Sequence, residues 1–276
     1  MPGITAPRTL FITGGMSGLG KALAAAYLQR GSDVAIFDLA VNDEVLAELD
    51  NCKLRRSQRL VAYQASVTDL AALSAAVDQA VAATDKPELA INCAGIQRAA
   101  AFEELSGQDF ELVVQINLFG SRNFAEAVLR HMQSGGRLAL VSSMAGFAAN
   151  YSYATYCASK FGVVGLGRVL RLELKPRGIE VSLICPPEVD TPMVEEEART
   201  MHPVSRTLKD LGGTLSVAAA IKGILSGLDR GKHVIIPGRS AKITYLANRY
   251  LPDFVMHAVV DRIVRSTLAK MDAATA

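Results

Sequence analysis

A glycine-rich turn placed directly behind a short apolar run most narrowly limits what this chain can fold into. Thr9–Thr13 (TLFIT) reads as a strand, and Thr13-Gly14-Gly15-Met16-Ser17-Gly18-Leu19-Gly20 runs from it into a helical stretch, Leu19–Gly31. Gly14 lets the chain turn at the strand end, and Gly18 removes a side chain where an anion approaches the backbone. The helix behind it points unpaired N–H groups and its positive dipole end at that anion. Gly20 is expected to allow close helix–sheet packing. A glycine string alone is weak evidence; at the junction of the first strand and the first helix it is far stronger.

The rest of the chain repeats that alternation. Further strands are expected at Asp33–Asp38, Leu60–Gln64, Leu89–Asn92, Arg137–Ser142, Glu180–Cys185 and His233–Ile236. Helices are expected at Leu70–Thr84, Phe110–Gln133, Tyr153–Lys175 and Leu215–Arg230. Near-continuous apolar strands are those covered on both faces. The expected fold is therefore α/β: a single doubly wound (Rossmann) domain, with helices on both faces of a mostly parallel seven-stranded sheet. The 276 residues fit one such domain, with Met1–Pro7 and Lys270–Ala276 as loose ends.

Asp38 ends the second strand, 18 residues after Gly20. A carboxylate there accepts hydrogen bonds from both hydroxyls of an adenosine ribose and repels a 2′-phosphate. Leu39-Ala40-Val41 follows and Ser17 is not basic, so NAD is favoured over NADP.

Tyr156 and Lys160 stand four apart in the fourth of those helices and share a face. An ammonium near a phenol is expected to lower its pKa and make it a proton donor and acceptor near neutrality. Ser143, at the end of the fifth strand, is placed to orient a substrate carbonyl. A Tyr and a Lys four apart on a solvated helix face are common by chance. Their coincidence with the glycine turn and Ser143 carries the reading.

The ordered set Thr13-Gly14…Gly18-Leu19-Gly20, Asn92-Cys93-Ala94-Gly95, Asn117, Ser143, Tyr156 and Lys160 resembles the short-chain dehydrogenase/reductase family over nearly the whole chain. The resemblance implies an oxidoreductase acting on a secondary alcohol or ketone, with Ser143, Tyr156 and Lys160 as the catalytic residues. Asn117 is implied to hold a water that relays protons to Lys160. Cofactor contacts are implied at Gly14, Met16, Ser17, Gly18, Leu19, Asp38, Ser66, Val67, Asn92, Ala94, Gly95, Tyr156, Lys160, Pro186, Val189 and Thr191. Where the family usually has an acidic residue after the third strand this chain has Ser66, and Asp69 reads as a helix start. Homodimers or homotetramers are usual in the family, through the helices holding Asn117 and Tyr156.

Pro186-Pro187-Glu188-Val189-Asp190-Thr191-Pro192 resembles the 3-ketodihydrosphingosine reductase branch, which implies a long-chain, lipid-like substrate. Animal and fungal members of that branch favour NADPH, against the NAD that Asp38 indicates. Two alternatives stay open: a dinucleotide-binding sensor or scaffold without turnover, and the same chemistry on a steroid or small hydroxy ketone.

Residues 190–212 fall where the family places a substrate lid. Lys242–Leu268, within a helical tail at 240–269, is basic and amphipathic, and Pro252 is expected to split it into two helices. It suits packing on the domain or a second subunit, or peripheral contact with a membrane surface or an acyl chain.

The composition narrows the partners. Twenty-nine basic residues against 27 acidic ones leave no strong pull toward nucleic acid, and the absence of Trp argues against base-stacking platforms. Cys52, Cys93, Cys157 and Cys185 lie far apart with no Cys-x-x-Cys pair, so reduced thiols and no metal site are expected. No signal peptide or membrane-spanning run is read, which makes the cytoplasm the expected compartment.

Overall fold

The structure, a computed structural model, describes residues 6–192, 194 and 201–275. Five apolar runs form the heart of a sheet: β1 (Thr9–Thr13), β2 (Asp33–Asp38), β4 (Leu89–Asn92), β5 (Arg137–Val141) and β6 (Glu180–Ile184). β3 (Leu60–Gln64) closes one edge and β9 (Val234–Ile235) the other. The order is β3-β2-β1-β4-β5-β6-β9, with every pairing parallel. The expected seven-stranded doubly wound sheet is thus present.

Side-chain alternation in the strands divides the core in two. Phe11, Phe37, Leu138 and Leu140 point into one apolar cluster with Phe124 and Val163. Leu10, Ile12, Ile36 and Ile91 point into the other with Leu23, Leu28 and Ile224. Full burial of each such side chain contributes roughly 1.5–3 kcal/mol. The helices covering the first face are α3 (Leu70–Ala83), α4 (Gly107–Val114), α5 (Gly120–Leu129) and α6 (Ala154–Glu173). α1 (Gly18–Gln29) and α8 (Val217–Asp229) cover the second. Asp69 accepts from Ala72 N at 3.0 Å and caps α3, as its reading as a helix start required.

Local rules explain several departures from the expected elements. α2 (Asp43–Asp50) was not expected; Asn42 caps it, but only Leu49 is buried, so its apolar stripe is faint. Phe110–Gln133 was read as one regular helix. It is instead α4 and α5 joined by a π-helical turn, Gln115–Phe119, which holds Asn117. Pro7 is no loose end: it is buried, and its carbonyl accepts from Ser32 Oγ. Lys270 is no loose end either, because the last helix runs on to Thr275.

Beyond β6 the chain builds a roof. β7 (Glu188–Val189) pairs with β8 (Thr214–Leu215), flanking α7 (Pro203–Gly212). The tail splits at Pro252 into α9 (Arg239–Tyr250) and α10 (Asp253–Thr275), as expected. α10 packs on α7. Of the expected lid, Met193 and Glu195–Thr200 lie outside the described residues. Among the described residues no helix is long and apolar enough to cross a membrane.

Candidate active site

Strand order reverses direction between β1 and β4, and the crevice at such a switch point is where open parallel sheets bind ligands. The glycine turn lies on one side of it and Asn92–Gly95 on the other. Gly14 has φ +67°, and a Cβ there would come within 2.9 Å of the Ala94 amide nitrogen. A Cβ on Gly20 would collide with the carbonyl oxygen of Gly14. Gly20 therefore permits the close approach of α1 to the end of β1 that was expected of it. Ser17 is extended and makes no side-chain bond to the first turn of α1, and Ser17, Gly18 and Leu19 line the cleft. That open helix end suits a pyrophosphate.

Asp38 sits at the tip of β2 with both oxygens fixed. Oδ2 accepts from Met16 N at 2.9 Å and Oδ1 from Leu39 N at 2.8 Å. The carboxylate is thereby oriented along the cleft wall it shares with Ser66 and Val67. Ser66 Oγ lies 2.8 Å from Thr68 Oγ1.

A buried polar relay ties the two halves of the site together. Thr13 Oγ1 donates to Asn92 Oδ1 at 2.8 Å, and Asn92 Nδ2 donates to Ser121 Oγ at 2.9 Å. Ser121 Oγ donates to the Asn117 carbonyl at 2.5 Å. Asn117 Nδ2 donates to Ser159 Oγ at 3.0 Å and to Ile96 O, while its Oδ1 accepts from Ile96 N. Turns of π-helix recur at functional sites, and this one aims Asn117 at Ser159 on α6.

Ser143, Tyr156 and Lys160 meet at the C-terminal end of β5. Ser143 and Tyr156 face the same cavity, and Ser143 Oγ accepts from Ala145 N at 3.2 Å. The Lys160 ammonium lies 5.5 Å from the Tyr156 ring centroid and donates to Val141 O at 3.1 Å. The electrostatics depart from the sequence expectation. Burial pushes the phenol up to about 12, opposed by Ser143 and the charge of Lys209. Burial also drives Lys160 down to about 8. Without dinucleotide, desolvation outweighs the expected lowering of the phenol by Lys160.

These groups open into one cavity of about 700 Å³. Every residue expected at the site lines it except Met16, Asn92 and Asn117. Those three act from behind: Met16 through its amide on Asp38, Asn92 and Asn117 through the relay. The same cavity is also lined by Met144, Phe147, Leu208, Leu211, Met256 and Val260, with Asn248, Asp253 and His257 among them. Its outer wall is α7, α9 and α10, so the tail borders the cleft as well as packing on the domain.

Sequence reasoning missed Lys209 and Glu188. The Glu188 side chain is 3% exposed and pairs with Lys209 Nζ at 2.9 Å and Arg206 Nη1 at 3.0 Å. No local pattern joins residues so far apart; only the β7–β8 pair and α7 bring them together. The four cysteines are free.

Comparison with known proteins agrees with this geometry. A family model described as short chain dehydrogenase matches residues 8–202. The chain is 33% identical over 234 residues to 3-dehydrosphinganine reductase TSC10B of Arabidopsis thaliana, covering 83% of this chain and 69% of that protein. It is 36% identical over 188 residues to D-threitol dehydrogenase of Mycolicibacterium smegmatis, covering 67% and 71%. A solved short chain dehydrogenase from Mycobacterium paratuberculosis, bound to NAD, superposes with a TM-score of 0.76 at 24% identity, covering 86% of this chain and 98% of that one.

Proposed function

The chain belongs to the short chain dehydrogenase family and is an NAD(P)-binding oxidoreductase; from that premise we propose that it interconverts a secondary alcohol and a ketone on a lipid-like substrate. The observation that carries this is the gathering of Ser143, Tyr156 and Lys160 in one cavity with the glycine turn.

The residues present fit a dinucleotide. The glycine turn and the open end of α1 would hold the pyrophosphate, and Asp38 the adenosine ribose. Fixed by two backbone amides and followed by no basic side chain, Asp38 supports NAD over NADP. The bound dinucleotide supplies or accepts the hydride. Ser143 holds the substrate oxygen beside the phenol, and Tyr156 gives that oxygen its proton in reduction or takes it in oxidation. Lys160, with its proton affinity near neutrality, restores the proton to Tyr156.

Met144, Phe147, Leu208 and Met256, together in the cavity wall, support an alkyl chain on the substrate. Ile243, Leu246, Tyr250 and Phe254 form an exposed apolar corner on α9 and α10, beside Arg239, Lys242 and Arg249. That combination supports peripheral contact with an anionic bilayer at the cleft mouth. On α6, exposed Phe161, Val169 and Leu172 support pairing with a second subunit.

The test is NADH and NADPH oxidation, followed by absorbance, with 3-ketosphinganine, cyclic ketones and small hydroxy ketones. Turnover fastest with 3-ketosphinganine and NADH is expected. Dinucleotide binding without turnover across the panel would overturn the enzymatic reading. Preference for a small polyol or its ketone would overturn the substrate class.

A further inference from the structure

The cavity wall holds polar atoms that nothing in the protein satisfies. The Gln97 amide nitrogen and the Tyr153 hydroxyl are closed to solvent, and neither has a hydrogen-bond partner among the described residues. Tyr153 is 2% exposed, and both residues line the cavity. The other buried side-chain polar atoms in that state, on Tyr27 and Arg137, belong to residues that do not border it. Leaving a polar group buried and unpaired is costly, so each such group calls for a partner. The backbone that presents these two is itself tightly held. Ser152, just before Tyr153, has φ +60° and is the one non-glycine among the described residues in the left-handed region. Its carbonyl accepts from Ala100 N at 3.1 Å, which ties the start of α6 to the loop carrying Gln97. The other end of that loop is fixed by Asn117, which bonds both the N–H and the carbonyl of Ile96. A Cβ on Gly95 would stand 3.4 Å from Lys160 Nζ. Gln97 therefore sits on a short span that begins beside Lys160 and ends beside Tyr153. The Tyr153 ring in turn meets the Tyr156 ring edge-on, with centroids 6.2 Å apart.

We propose that Gln97 and Tyr153 form a polar subsite for the substrate: the amide and the hydroxyl hold a hydroxyl or amino group on the carbon next to the reacting ketone. The proposal rests on the catalytic reading of Tyr156 given above and narrows its substrate class to α-hydroxy or α-amino ketones carrying an alkyl chain. The placement follows from the rings. Tyr156 addresses the carbonyl oxygen and Tyr153 borders Tyr156, so a group that meets Tyr153 is bonded close to the carbonyl carbon. Gln97 as a whole is half-buried, and rotation of its unbranched side chain can turn the amide toward an arriving group. The Tyr153 hydroxyl needs only to rotate its proton. The chemistry matches in both directions. A primary amide and a phenol can each donate, and each has an oxygen that can accept. A hydroxyl or an amine also does both, so one substituent can satisfy the two groups at once. A plain ketone of the same length leaves both unpaired, and a site built to bond a polar group rejects an analogue lacking it.

The test compares ketones of one alkyl length: unsubstituted, α-hydroxy and α-amino. Wild-type kcat/KM should favour a substituted ketone over the plain one by about 10-fold or more. Tyr153→Phe and Gln97→Leu should each shrink that ratio severalfold, and the double variant should bring it close to one. A binding arm needs no turnover. In the dinucleotide complex of Tyr156→Phe, calorimetric Kd values should show the same preference, and adding Gln97→Leu should abolish it. Folding supplies a separate check: Tyr153→Phe removes an unpaired buried hydroxyl, so the dinucleotide-free protein should melt at a higher temperature. Preference for the plain ketone in turnover or binding, a ratio unmoved in either variant, or a lower melting temperature in Tyr153→Phe would overturn the proposal. Turnover by Tyr156→Phe equal to wild type would instead remove the catalytic reading beneath it, with the binding arm still deciding the subsite.

Discussion

Lys160 and Tyr156 stand one helical turn apart on α6, with the ammonium 5.5 Å from the ring centroid and its proton directed to Val141 O at 3.1 Å. Lys160 is buried and Tyr156 half-buried, and both line the same cavity. Each group is displaced from its ordinary proton affinity toward the neutral form, as burial requires.

Removing the phenolic oxygen should separate chemistry from binding. Tyr156→Phe should lower kcat by about 10²–10⁴-fold, the range for losing a positioned acid–base group. Dinucleotide affinity, followed by fluorescence titration, should change little. Comparable kcat in the variant would exclude the assigned role.

The lysine makes a prediction about stability. Burial drives it down to about 8 from the ordinary lysine value of 10.5, so the unfolded chain binds the extra proton between those values. Stability from this group therefore rises as pH climbs from 8 to 10.5, and the full cost of the buried charge applies below 8. Lys160→Met should remove that cost, stabilising the neutral-pH fold by roughly 3 kcal/mol at most, while abolishing turnover. Denaturant unfolding of both proteins across this window checks it; parallel stability curves would contradict the assignment.

Asp38 should set the choice of dinucleotide. Asp38→Ala loses charge-assisted hydrogen bonds to the ribose and frees the amide of Met16, so affinity for NADH should fall about 10–100-fold. Selectivity against NADPH should weaken with it, since the repulsion of a 2′-phosphate is gone. Separate titrations with the two dinucleotides give both numbers.

Gly20→Ala should be costly although the site tolerates helix on sequence grounds. The added methyl meets the carbonyl of Gly14, and the turn must open to admit it. A loss of roughly 1–3 kcal/mol is expected, together with weakened dinucleotide binding. Thermal melting with and without NADH would detect both effects.

The exposed corner of the tail should be separable from the chemistry. Ile243 is 69% exposed and Phe254 72% exposed. Replacing both with Glu should reduce sedimentation with anionic vesicles and leave turnover of a short, water-soluble ketone intact. Binding that is unchanged, or dissociation of an oligomer instead, would assign this face to another partner.

The parts of the molecule governed by short-range rules were legible in the sequence. All seven strands of the main sheet fell where runs of Val, Ile, Leu and Ala placed them, because burial on both faces leaves a continuous apolar signature. The glycine turn, Asp38, Ser143, Tyr156 and Lys160 were legible because each sits at a fixed offset from a strand or helix end. The π turn around Asn117 was not, since an extra residue in one turn leaves no mark in an apolar helix pattern. Nor was the direction of the Tyr156 shift, which depends on how much water the roof excludes. Lys209 belongs to the same class: it reaches the cavity only because α7 folds over a site built more than 50 residues earlier in the chain.

The relay from Thr13 to Ser159 binds the glycine turn to the helix of Tyr156 without using a single residue of the roof. The glycine turn and the helix of Tyr156 are thus joined by chain that lies outside the roof. A graft of residues 203–275 from another member of the same architecture should therefore redirect which ketone is accepted while the underlying chassis keeps its hydride-transfer competence.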